Sequence, residues 1–211
     1  MRKLKLVSAA LCSVLPFNFL RIFAYRYLLG YKIKGAKIGF ATIIAVDKAE
    51  ISACKIGAGN LFTGPMQLTI EEGASIGYGN IFSCGYWAIR PEHAEKNYAR
   101  KLFIAKDTLI TSRHYLDTTG AFTLGTGSWI AGFASQFWTH GVGVEDRDIT
   151  IGENCYIGSA ARFSPGSSIG DRTLVAMGSV VTKKFIESDV LLGGMPAKIL
   201  KQNHHWRDKQ G

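Results

Sequence analysis

Histidines are the residues of this chain best suited to move a proton at neutral pH. An imidazole ordinarily titrates near pH 6.5, so it can take a proton from a hydroxyl group and return it later in a reaction. Of the five histidines, His204 and His205 lie in a polar C-terminal tail, and His93 lies in an irregular stretch with charged neighbours. The two candidates that remain are His114, in TSRHYLD, and His140, in FWTHG.

Aromatic side chains accompany these histidines. Trp138 lies two residues before His140, and Trp87 lies in an irregular segment over residues 85–103. Aromatic rings offer large flat apolar faces, which suit the faces of sugar rings. Trp87 and Trp138 are therefore candidate acceptor-binding residues, with contacts between subunits as the alternative.

A repeat of six residues must position these side chains. Apolar residues recur without a slip at every sixth position: Ile151, Ile157, Phe163, Ile169, Val175 and Val181. The fifth position of each hexad is always small: Cys155, Ala161, Ser167, Thr173 and Ser179. A helix repeats every 3.6 residues and a simple strand every two, so neither explains one apolar position in six. The pattern predicts a parallel β-helix with three short strands in each coil of about 18 residues, small residues at its corners, and coils stacked about 4.8 Å apart.

Earlier segments carry the same period with interruptions. The sets with regular spacing are Ile56, Phe62 and Leu68; Ile70, Ile76 and Phe82; Ile104, Ile110 and Leu116; and Leu124, Ile130 and Gln136. The slips between them predict loops that leave the coil near residues 84–103, 117–122 and 137–148. The four cysteines include no C-x-x-C pair, so they predict reduced thiols, with Cys155 as a buried corner residue.

The N-terminal segment predicts two short helices. A basic start, Arg2-Lys3-Leu4-Lys5, precedes an apolar run that Pro16 and Asn18 interrupt, and an amphipathic stretch continues to Gly30. These interruptions, and the lack of a small-x-small cleavage site, argue against a secretory signal or a spanning helix. We expect the helices to be separated near Pro16 and to end near Gly30, and to bind an anionic membrane surface, to cap the coil, or both.

The formal net charge of +9 is concentrated in this leader. Residues 1–37 hold eight of the 25 basic residues and no acidic one, which leaves 17 basic against all 16 acidic residues in the rest of the chain. The body is therefore nearly neutral, whereas a nucleic-acid-binding protein usually spreads basic residues over a folded face. We expect no nucleic-acid partner.

The coil motifs resemble those of the hexapeptide-repeat acyltransferases. The segments that carry the resemblance are ITIGENCYIG, FSPGSSIGDRTLVAMGSVVTK and GGMPAKILKQ, all within residues 149–202. The leader segment LPFNFLRIFAYRYLLGYKI is similar to that of the branch that acetylates bacterial surface polysaccharides, such as the colanic-acid acetyltransferases. The resemblance implies an all-β, left-handed parallel β-helix, against the usual handedness of parallel crossovers. It also implies acetyl-CoA as the acetyl donor.

The expected organisation has three parts. Residues 1–32 form the basic helical leader, residues 33–186 form the left-handed β-helix catalytic domain, and residues 187–211 form a short helix or tail that completes the CoA site. The resemblance also implies a homotrimer with active sites between subunits.

The resemblance favours His140 as the general base, because the catalytic histidine of similar enzymes stands one coil ahead of the motif found here as ITIGENCYIG. The next residue is Gly141, where the family often has Asp or Pro, so the residue that orients the imidazole is open. Its candidates are Asp117, Glu145 and Asp146. His114 and Asp117 also remain candidates for a second acid or base, or for the acceptor site.

The resemblance places the acetyl-CoA site on the C-terminal coils. Tyr156 stands where similar enzymes usually have Trp, near the reactive end of the donor. Ser159, which follows Gly158, matches the position whose backbone N–H meets the thioester carbonyl. The pantetheine groove and the phosphates are matched by Met177, Gly178, Thr182, Lys183, Lys198 and Lys201, with Lys184 as an additional cation.

The expected acceptor is a glycan or a lipid-linked glycan, handled in the cytoplasm, with peripheral association at the inner face of the membrane as an open option. No metal is expected. A γ-type carbonic anhydrase shares the coil but needs three zinc-binding histidines, two of them close in sequence, and His93, His114 and His140 are 21 and 26 residues apart. Two different functions stay open for this coil: N-acetylation of an amino-sugar nucleotide or another small amine, and a non-catalytic role in adhesion or scaffolding.

Overall fold

The chain winds into a parallel β-helix with a triangular cross-section, capped at its N-terminal end by two helices. A computed structural model describes residues 2–204 and 206–207. Each coil crosses three faces in the order face 3, face 1, face 2. The bend between faces 3 and 1 is called the 3–1 corner, and the bend between faces 1 and 2 the 1–2 corner.

Parallel strands build all three faces. Face 1 consists of the first parts of β3 (Ile43–Ile51) and β5 (Leu61–Ile70), then β7 (Ile81–Ser83), β10 (Tyr115–Asp117), β13 (Gln136–Phe137), β16 (Arg162–Phe163) and β19 (Val180–Val181). Face 2 consists of β1 (Lys32–Ile33), the second parts of β3 and β5, β8 (Lys101–Ile104), β11 (Ala121–Leu124), β14 (Ile149–Ile151), β17 (Ser168–Ile169) and β20 (Lys184–Phe185). Face 3 consists of β2 (Lys37–Ile38), β4 (Lys55–Ile56), β6 (Ser75–Ile76), β9 (Leu109–Ile110), β12 (Trp129–Ile130), β15 (Tyr156–Ile157), β18 (Leu174–Val175) and β21 (Leu191–Gly194), with β22 (Ala197–Lys201) at its end.

The hexad residues point inward and stack as ladders, as predicted. The face 1 ladder is fully buried and contains Ile44, Phe62, Phe82, Leu116, Phe137, Phe163 and Val181. The small residues at the fifth hexad positions, from Cys155 to Ser179, are also buried. Burial of these ladders is the main source of stability, because each fully buried large apolar side chain contributes about 1.5–3 kcal/mol.

One hexad assignment is wrong. Gln136 was expected to point inward after Ile130, but it is only half-buried, and Phe137 fills the interior instead. The corner between Ile130 and β13 holds one extra residue. Two of its residues, Gly132 with φ 69° and Ala134 with φ 63°, are left-handed, whereas the corresponding corner after Ile157 has only Ala160, with φ 57°. This extra residue displaces the register by one position, which turns the next side chain to the other side of the strand.

The leader forms the two predicted helices. Helix α1 spans Arg2–Ser13 and α2 spans Asn18–Leu29, so the break falls at Pro16 as expected. Gly30 ends α2 in the left-handed conformation, with φ 70°. In the described part of the chain, no helix is long and apolar enough to cross a bilayer.

These helices cap the open edge of the first coil. The Tyr25 hydroxyl donates to the Thr42 carbonyl at 2.7 Å and accepts from the Ile44 N–H at 3.2 Å. The Arg21 guanidinium donates to the Ile38 carbonyl at 3.0 Å. An exposed strand edge is a template for aggregation, so these bonds stabilise the coil and protect its end. The sequence left capping and membrane binding open for the leader, and these bonds place its helices against the first coil.

We predict that Tyr25→Phe destabilises the protein by about 1–3 kcal/mol, because it leaves buried backbone groups of the first coil without a partner. Tyr27→Phe on the same helix is the matched control, since Tyr27 is 68 % exposed, and it should change stability by less than about 0.5 kcal/mol. Urea unfolding followed by circular dichroism measures both. Equal stabilities of the two variants would show that the hydroxyl is not part of the cap.

Residues 187–204 form no helix, in contrast to the short helix that is one of the two expectations for the C-terminal segment. Strands β21 and β22 form an antiparallel hairpin at the end of face 3. Gly193, Gly194 and Pro196 lie at its turn, and these residue types disfavour a helix by about 1 to 3 kcal/mol each. Trp206, beyond the hairpin, packs back onto the coil and donates its indole N–H to the Asn154 carbonyl at 2.7 Å.

Candidate active site

A histidine–carboxylate pair lies at the 1–2 corner. Strand β10 pairs with β13, so Leu116 stacks beside Phe137, and the residues that follow the two strands meet at the same bend. The Nδ1 atom of His140 lies 2.8 Å from Oδ2 of Asp117. The carboxylate orients the ring with Nδ1–H towards Asp117, which leaves the lone pair of Nε2 able to accept a proton.

Asp117 is held in place by several donors. Its side chain is only 3 % exposed. Oδ2 accepts from the Thr139 N–H at 2.9 Å and from the Thr139 hydroxyl at 2.8 Å, and Oδ1 accepts from the Thr119 hydroxyl at 2.8 Å. A buried carboxylate with this many donors keeps a fixed position, which in turn fixes the imidazole.

Of the three candidates for orienting His140, the structure joins Asp117 to it. Asp146 instead pairs with Lys184, with Oδ2 2.6 Å from Nζ. Glu145 is exposed, and its backbone carbonyl accepts from the Arg147 guanidinium at 3.0 Å. The pairing also means that Lys184, expected among the phosphate-binding cations, is engaged at the same loop as His140.

A cavity of about 310 Å³ opens beside His140, between the loop of residues 85–100 and the loop of residues 138–148. Its lining is Trp87, His93, Lys96, Tyr98, His140, Gly141, Val142, Gly143, Val144 and Glu145. Arg147 ties the two loops together, because Nη1 donates to the Lys96 carbonyl at 3.1 Å and the guanidinium lies 4.5 Å from the Tyr98 ring. The His140 side chain is 35 % exposed, so it faces this space.

The two predicted acceptor-binding aromatics both flank His140. The ring centroids of Trp87 and His140 are 5.2 Å apart, and those of Trp138 and His140 are 6.3 Å apart. Trp87 also packs edge-on against His93 and Tyr98. Trp138 packs against Tyr115 at 4.8 Å. The imidazole therefore lies beside aromatic side chains from both sides of the 1–2 corner.

His114 lies elsewhere, at the buried 3–1 corner. It is 2 % exposed, its Nδ1 accepts from the Ser135 N–H at 3.1 Å, and its Nε2 lies 2.9 Å from the Thr111 hydroxyl. The backbone N–H of His114 donates to Oδ1 of Asn80 at 2.9 Å. Because both ring nitrogens have partners inside the coil, this geometry favours a structural role for His114. It lies at a different corner from His140.

We predict that acid weakens folding through His114. Burial lowers the pKa of His114 from 6.5 to about 4. Above pH 6.5 the ring is neutral in both the folded and the unfolded protein. Between pH 6.5 and pH 4 only the unfolded chain gains the proton. The free energy of unfolding therefore falls as pH falls through this window, by up to about 3 kcal/mol.

The measurement compares urea unfolding at pH 7 and pH 4.5 in the wild type and in His114→Asn. The Asn carbonyl oxygen can still accept from the Ser135 N–H, so the corner bond is retained. The loss of stability on acidification should be smaller in the variant by about 2 kcal/mol. Equal losses in the two proteins would contradict the assignment.

The donor-site residues implied by the family lie mainly on a different edge of the coil. Gly158, Ser159, Met177 and Gly178 lie at the 3–1 corner, one coil above the other, and the Gly178 N–H donates to the Ser159 carbonyl at 2.8 Å. A Cβ on Gly158 would approach the Met177 nitrogen to 2.7 Å, so close stacking of the coils requires glycine there. Met177 is 76 % exposed beside them.

The remaining donor-site residues are distributed over the coil end. Thr182 and Lys183 follow β19 at the 1–2 corner, and Lys198 and Lys201 lie on β22; all four are exposed. Tyr156 on β15 is half-buried and packs 5.2 Å from the Trp206 ring. Trp206 was not anticipated, because its contact with Tyr156 joins residues 50 positions apart by way of a tail without hexads.

One chain does not bring His140 and Ser159 together. His140 follows face 1 at the 1–2 corner, whereas Ser159 precedes face 1 at the 3–1 corner. The part of face 1 between these two corners, residues 161–164, alone spans roughly 10 Å, which is beyond direct contact. Among the described residues, no group of three or more His, Cys, Asp or Glu side chains is placed to hold a metal ion.

Known proteins share this repeat and this fold. Residues 148–183 match the family described as bacterial transferase hexapeptide (six repeats). Galactoside O-acetyltransferase of Escherichia coli (strain K12) is 41 % identical over 61 residues, which are 29 % of this chain and 29 % of that protein. The matched segment thus spans less than a third of that relative.

Two solved structures extend the likeness over most of the chain. A hexapeptide-repeat-containing acetyltransferase from Vibrio cholerae is 19 % identical with a TM-score of 0.51, over 96 % of this chain and 90 % of that chain. The polysialic acid O-acetyltransferase OatWY is 18 % identical with a TM-score of 0.53, over 83 % of each chain. Residues 148–183 are therefore hexapeptide repeats of the bacterial transferase type, and the chain has the left-handed parallel β-helix fold of the hexapeptide-repeat acetyltransferases.

Proposed function

We propose that this chain is an acetyl-CoA-dependent O-acetyltransferase that acts on a sugar hydroxyl of a bacterial surface polysaccharide or of its lipid-linked precursor. The observation that carries the proposal is the His140–Asp117 pair, which faces an aromatic cavity on a coil built from transferase repeats. The relative named galactoside O-acetyltransferase supports transfer to a sugar hydroxyl.

His140 acts as the general base in this proposal. Its Nε2 takes the proton from the acceptor hydroxyl as that oxygen attacks the acetyl carbonyl, and the new C–O bond forms as the C–S bond breaks. The imidazolium then returns the proton to the departing sulfur. Asp117 stabilises the imidazolium through the 2.8 Å contact with Nδ1, and its burial keeps that charge–charge attraction strong.

The donor would lie along the 3–1 corner and the coil end. Acetyl-CoA brings an activated thioester, and a backbone N–H at Ser159 would meet the oxygen that becomes negative. Lys183, Lys198 and Lys201 are exposed and match positions beside the CoA phosphates, which they would attract as point charges. Tyr156, held by Trp206, would support the reactive end of the donor.

A homotrimer would complete the site. Because Ser159 and His140 lie at different corners, the base of one subunit would act on the donor held at the 3–1 corner of the next. An apolar stripe along this corner supports such a contact: Phe40, Tyr78, Phe133 and Met177 are between 53 and 76 % exposed. Removing this stripe from water would favour association of copies.

The test is acetyl transfer from acetyl-CoA to three panels of acceptors: surface-glycan repeat units, amino-sugar nucleotides and small amines. Mass spectrometry identifies acetylated products, and alkaline hydroxylamine removes O-acetyl esters but not amides. Hydroxylamine-labile acetylation of glycans is expected. Acetylation confined to amines would favour an N-acetyltransferase, and failure to bind CoA would favour a non-catalytic β-helix. Light scattering should give the mass of a trimer.

A further inference from the structure

The two leader helices expose an unusually apolar surface. Their inward side packs on the first coil, but ten large apolar side chains on the outer side are between 44 and 71 % exposed: Leu4, Leu6, Val7, Leu11, Val14, Phe17, Phe19, Phe23, Tyr27 and Leu28. We name these ten residues the leader face. Ten of the 21 exposed large apolar residues in the described chain lie here, within 25 positions, so the capping role alone does not account for them.

Positive charge surrounds the leader face without acidic residues from the same segment. Residues 1–37 contain eight basic residues and no Asp or Glu. Lys5 lies 3.6 Å from Asp47 and Lys32 lies 2.7 Å from Glu50, both acids of β3. Lys3, Arg26 and Lys34 are exposed and form no ion pair within the described chain.

A cavity beside α2 combines the two properties. It has a volume of about 820 Å³ and lies between α2 and the first coil. Arg26 and Lys34 line it together with the Lys32–Glu50 ion pair and with apolar residues such as Ile22, Tyr27 and Ile33. Cations over an apolar wall suit an anionic amphiphile, whose phosphate and hydrocarbon parts would each find a matching surface.

We propose that the leader face docks the protein on an anionic phospholipid bilayer. Apolar side chains would enter the boundary between headgroups and acyl chains, while Lys3, Arg26 and Lys34 meet lipid phosphates. The bilayer is the partner that satisfies both observations, because it removes the apolar side chains from water and neutralises charges that no acid of the leader balances.

Docking would fix the distance of the candidate active site from the membrane surface. This consequence rests on the proposed function. Along face 1, β13 lies four coil steps beyond β3, against which the leader helices pack. Four steps of about 4.8 Å place His140 roughly 19 Å along the coil from the capped end. A membrane-held acceptor would thus present sugar residues that lie away from its lipid anchor.

The test is co-sedimentation of the full chain with vesicles of phosphatidylcholine alone, or with a quarter of phosphatidylglycerol. We expect strong pelleting with the anionic vesicles, weak pelleting with the neutral ones, and release by salt. Phe19→Ser/Phe23→Ser should weaken binding roughly tenfold or more, because two exposed aromatic anchors are lost. Arg26→Gln/Lys34→Gln should weaken it about fivefold per charge.

Matched controls separate these effects from general changes. Ile186→Ser removes an apolar residue that is 86 % exposed beyond β20, and Lys101→Gln/Arg162→Gln removes two exposed charges away from the leader. Both should bind vesicles as the wild type does. Equal pelleting with neutral and anionic vesicles, or equal losses in test and control variants, would overturn the proposal.

The alternative occupant is a second copy of the chain. If the full chain does not pellet and Phe19→Ser/Phe23→Ser lowers the mass measured in solution, the leader face is a contact between copies and the membrane proposal fails. Vesicle binding needs no acetyl acceptor, so its failure is distinguishable from failure of the proposed function. Acetyl transfer to a soluble acceptor should be unchanged in both leader variants.

Discussion

Replacement of His140 by alanine is expected to lower kcat for acetyl transfer about a thousandfold, with KM for acetyl-CoA changed by less than about threefold. A positioned general base typically contributes a factor of about 10² to 10⁴ in rate. His114 is not placed to replace it, since it is buried with both ring nitrogens bonded within the coil. The loss should therefore appear in kcat, because the proposed donor site lies mainly at the 3–1 corner and at the coil end, apart from His140.

The matched control is His93→Ala, which removes another imidazole from the lining of the same cavity. It should lower kcat by less than about tenfold, because no carboxylate of the described residues is bonded to His93 as Asp117 is to His140. Added imidazole should restore part of the activity of His140→Ala, since the vacated space faces solvent. Near-normal turnover of His140→Ala would remove this residue from the proposed mechanism.

The coil can be predicted from the sequence because the residues that stabilise it recur at a fixed period. One inward residue in six and a small residue at each corner are local requirements that every coil repeats, so the pattern from Ile151 to Val181 determines the ladders without knowledge of distant contacts. The register failed at Gln136, where one extra corner residue cannot be seen in the spacing alone. Two residues of that corner, Gly132 and Ala134, take the left-handed conformation, whereas the same corner of the next coil has only Ala160 in it.

The structural position of His114 was available from the same periodicity. Counting from Ile110, His114 occupies the fifth hexad position, the position that Cys155 and Ser179 fill with small buried side chains. A buried polar residue there must bond to the corners above and below, as His114 does to Asn80 and Ser135. The signal lies in the position of His114 rather than in its size, because the imidazole is larger than the side chains at the fifth positions of the C-terminal hexads.

The contacts that complete the cavity have no such periodic signal. Arg147 joins two loops by bonding to a carbonyl 51 residues earlier, and Thr139 and Thr119 hold the carboxylate of Asp117. Loops leave the coil with individual lengths and conformations, so their meeting depends on tertiary packing rather than on hexads. The sequence therefore provided Asp117 as one of three candidates for orienting His140, without a reason to prefer it.

Asp117→Asn is expected to lower kcat by a factor of about 10² to 10⁴, close to the loss in His140→Ala. The amide nearly preserves the shape of the carboxylate, but its NH₂ group can donate to Nδ1 of His140. That bond favours the tautomer with a proton on Nε2, which cannot accept one from the acceptor hydroxyl. The substitution also removes the negative charge that stabilises the imidazolium. KM for acetyl-CoA should stay within about threefold, which separates a positioning role from general loss of structure.

Two further variants make the prediction for Asp117→Asn specific. Asp146→Asn is the matched control: it neutralises an exposed acid of the same loop and breaks the pair with Lys184, and it should change kcat by less than about threefold. The double variant Asp117→Asn/His140→Ala should be no slower than His140→Ala alone, because the carboxylate acts only through the imidazole. Independent, multiplying losses would show that Asp117 supports activity by some other route, such as the Thr119 and Thr139 bonds that order the corner.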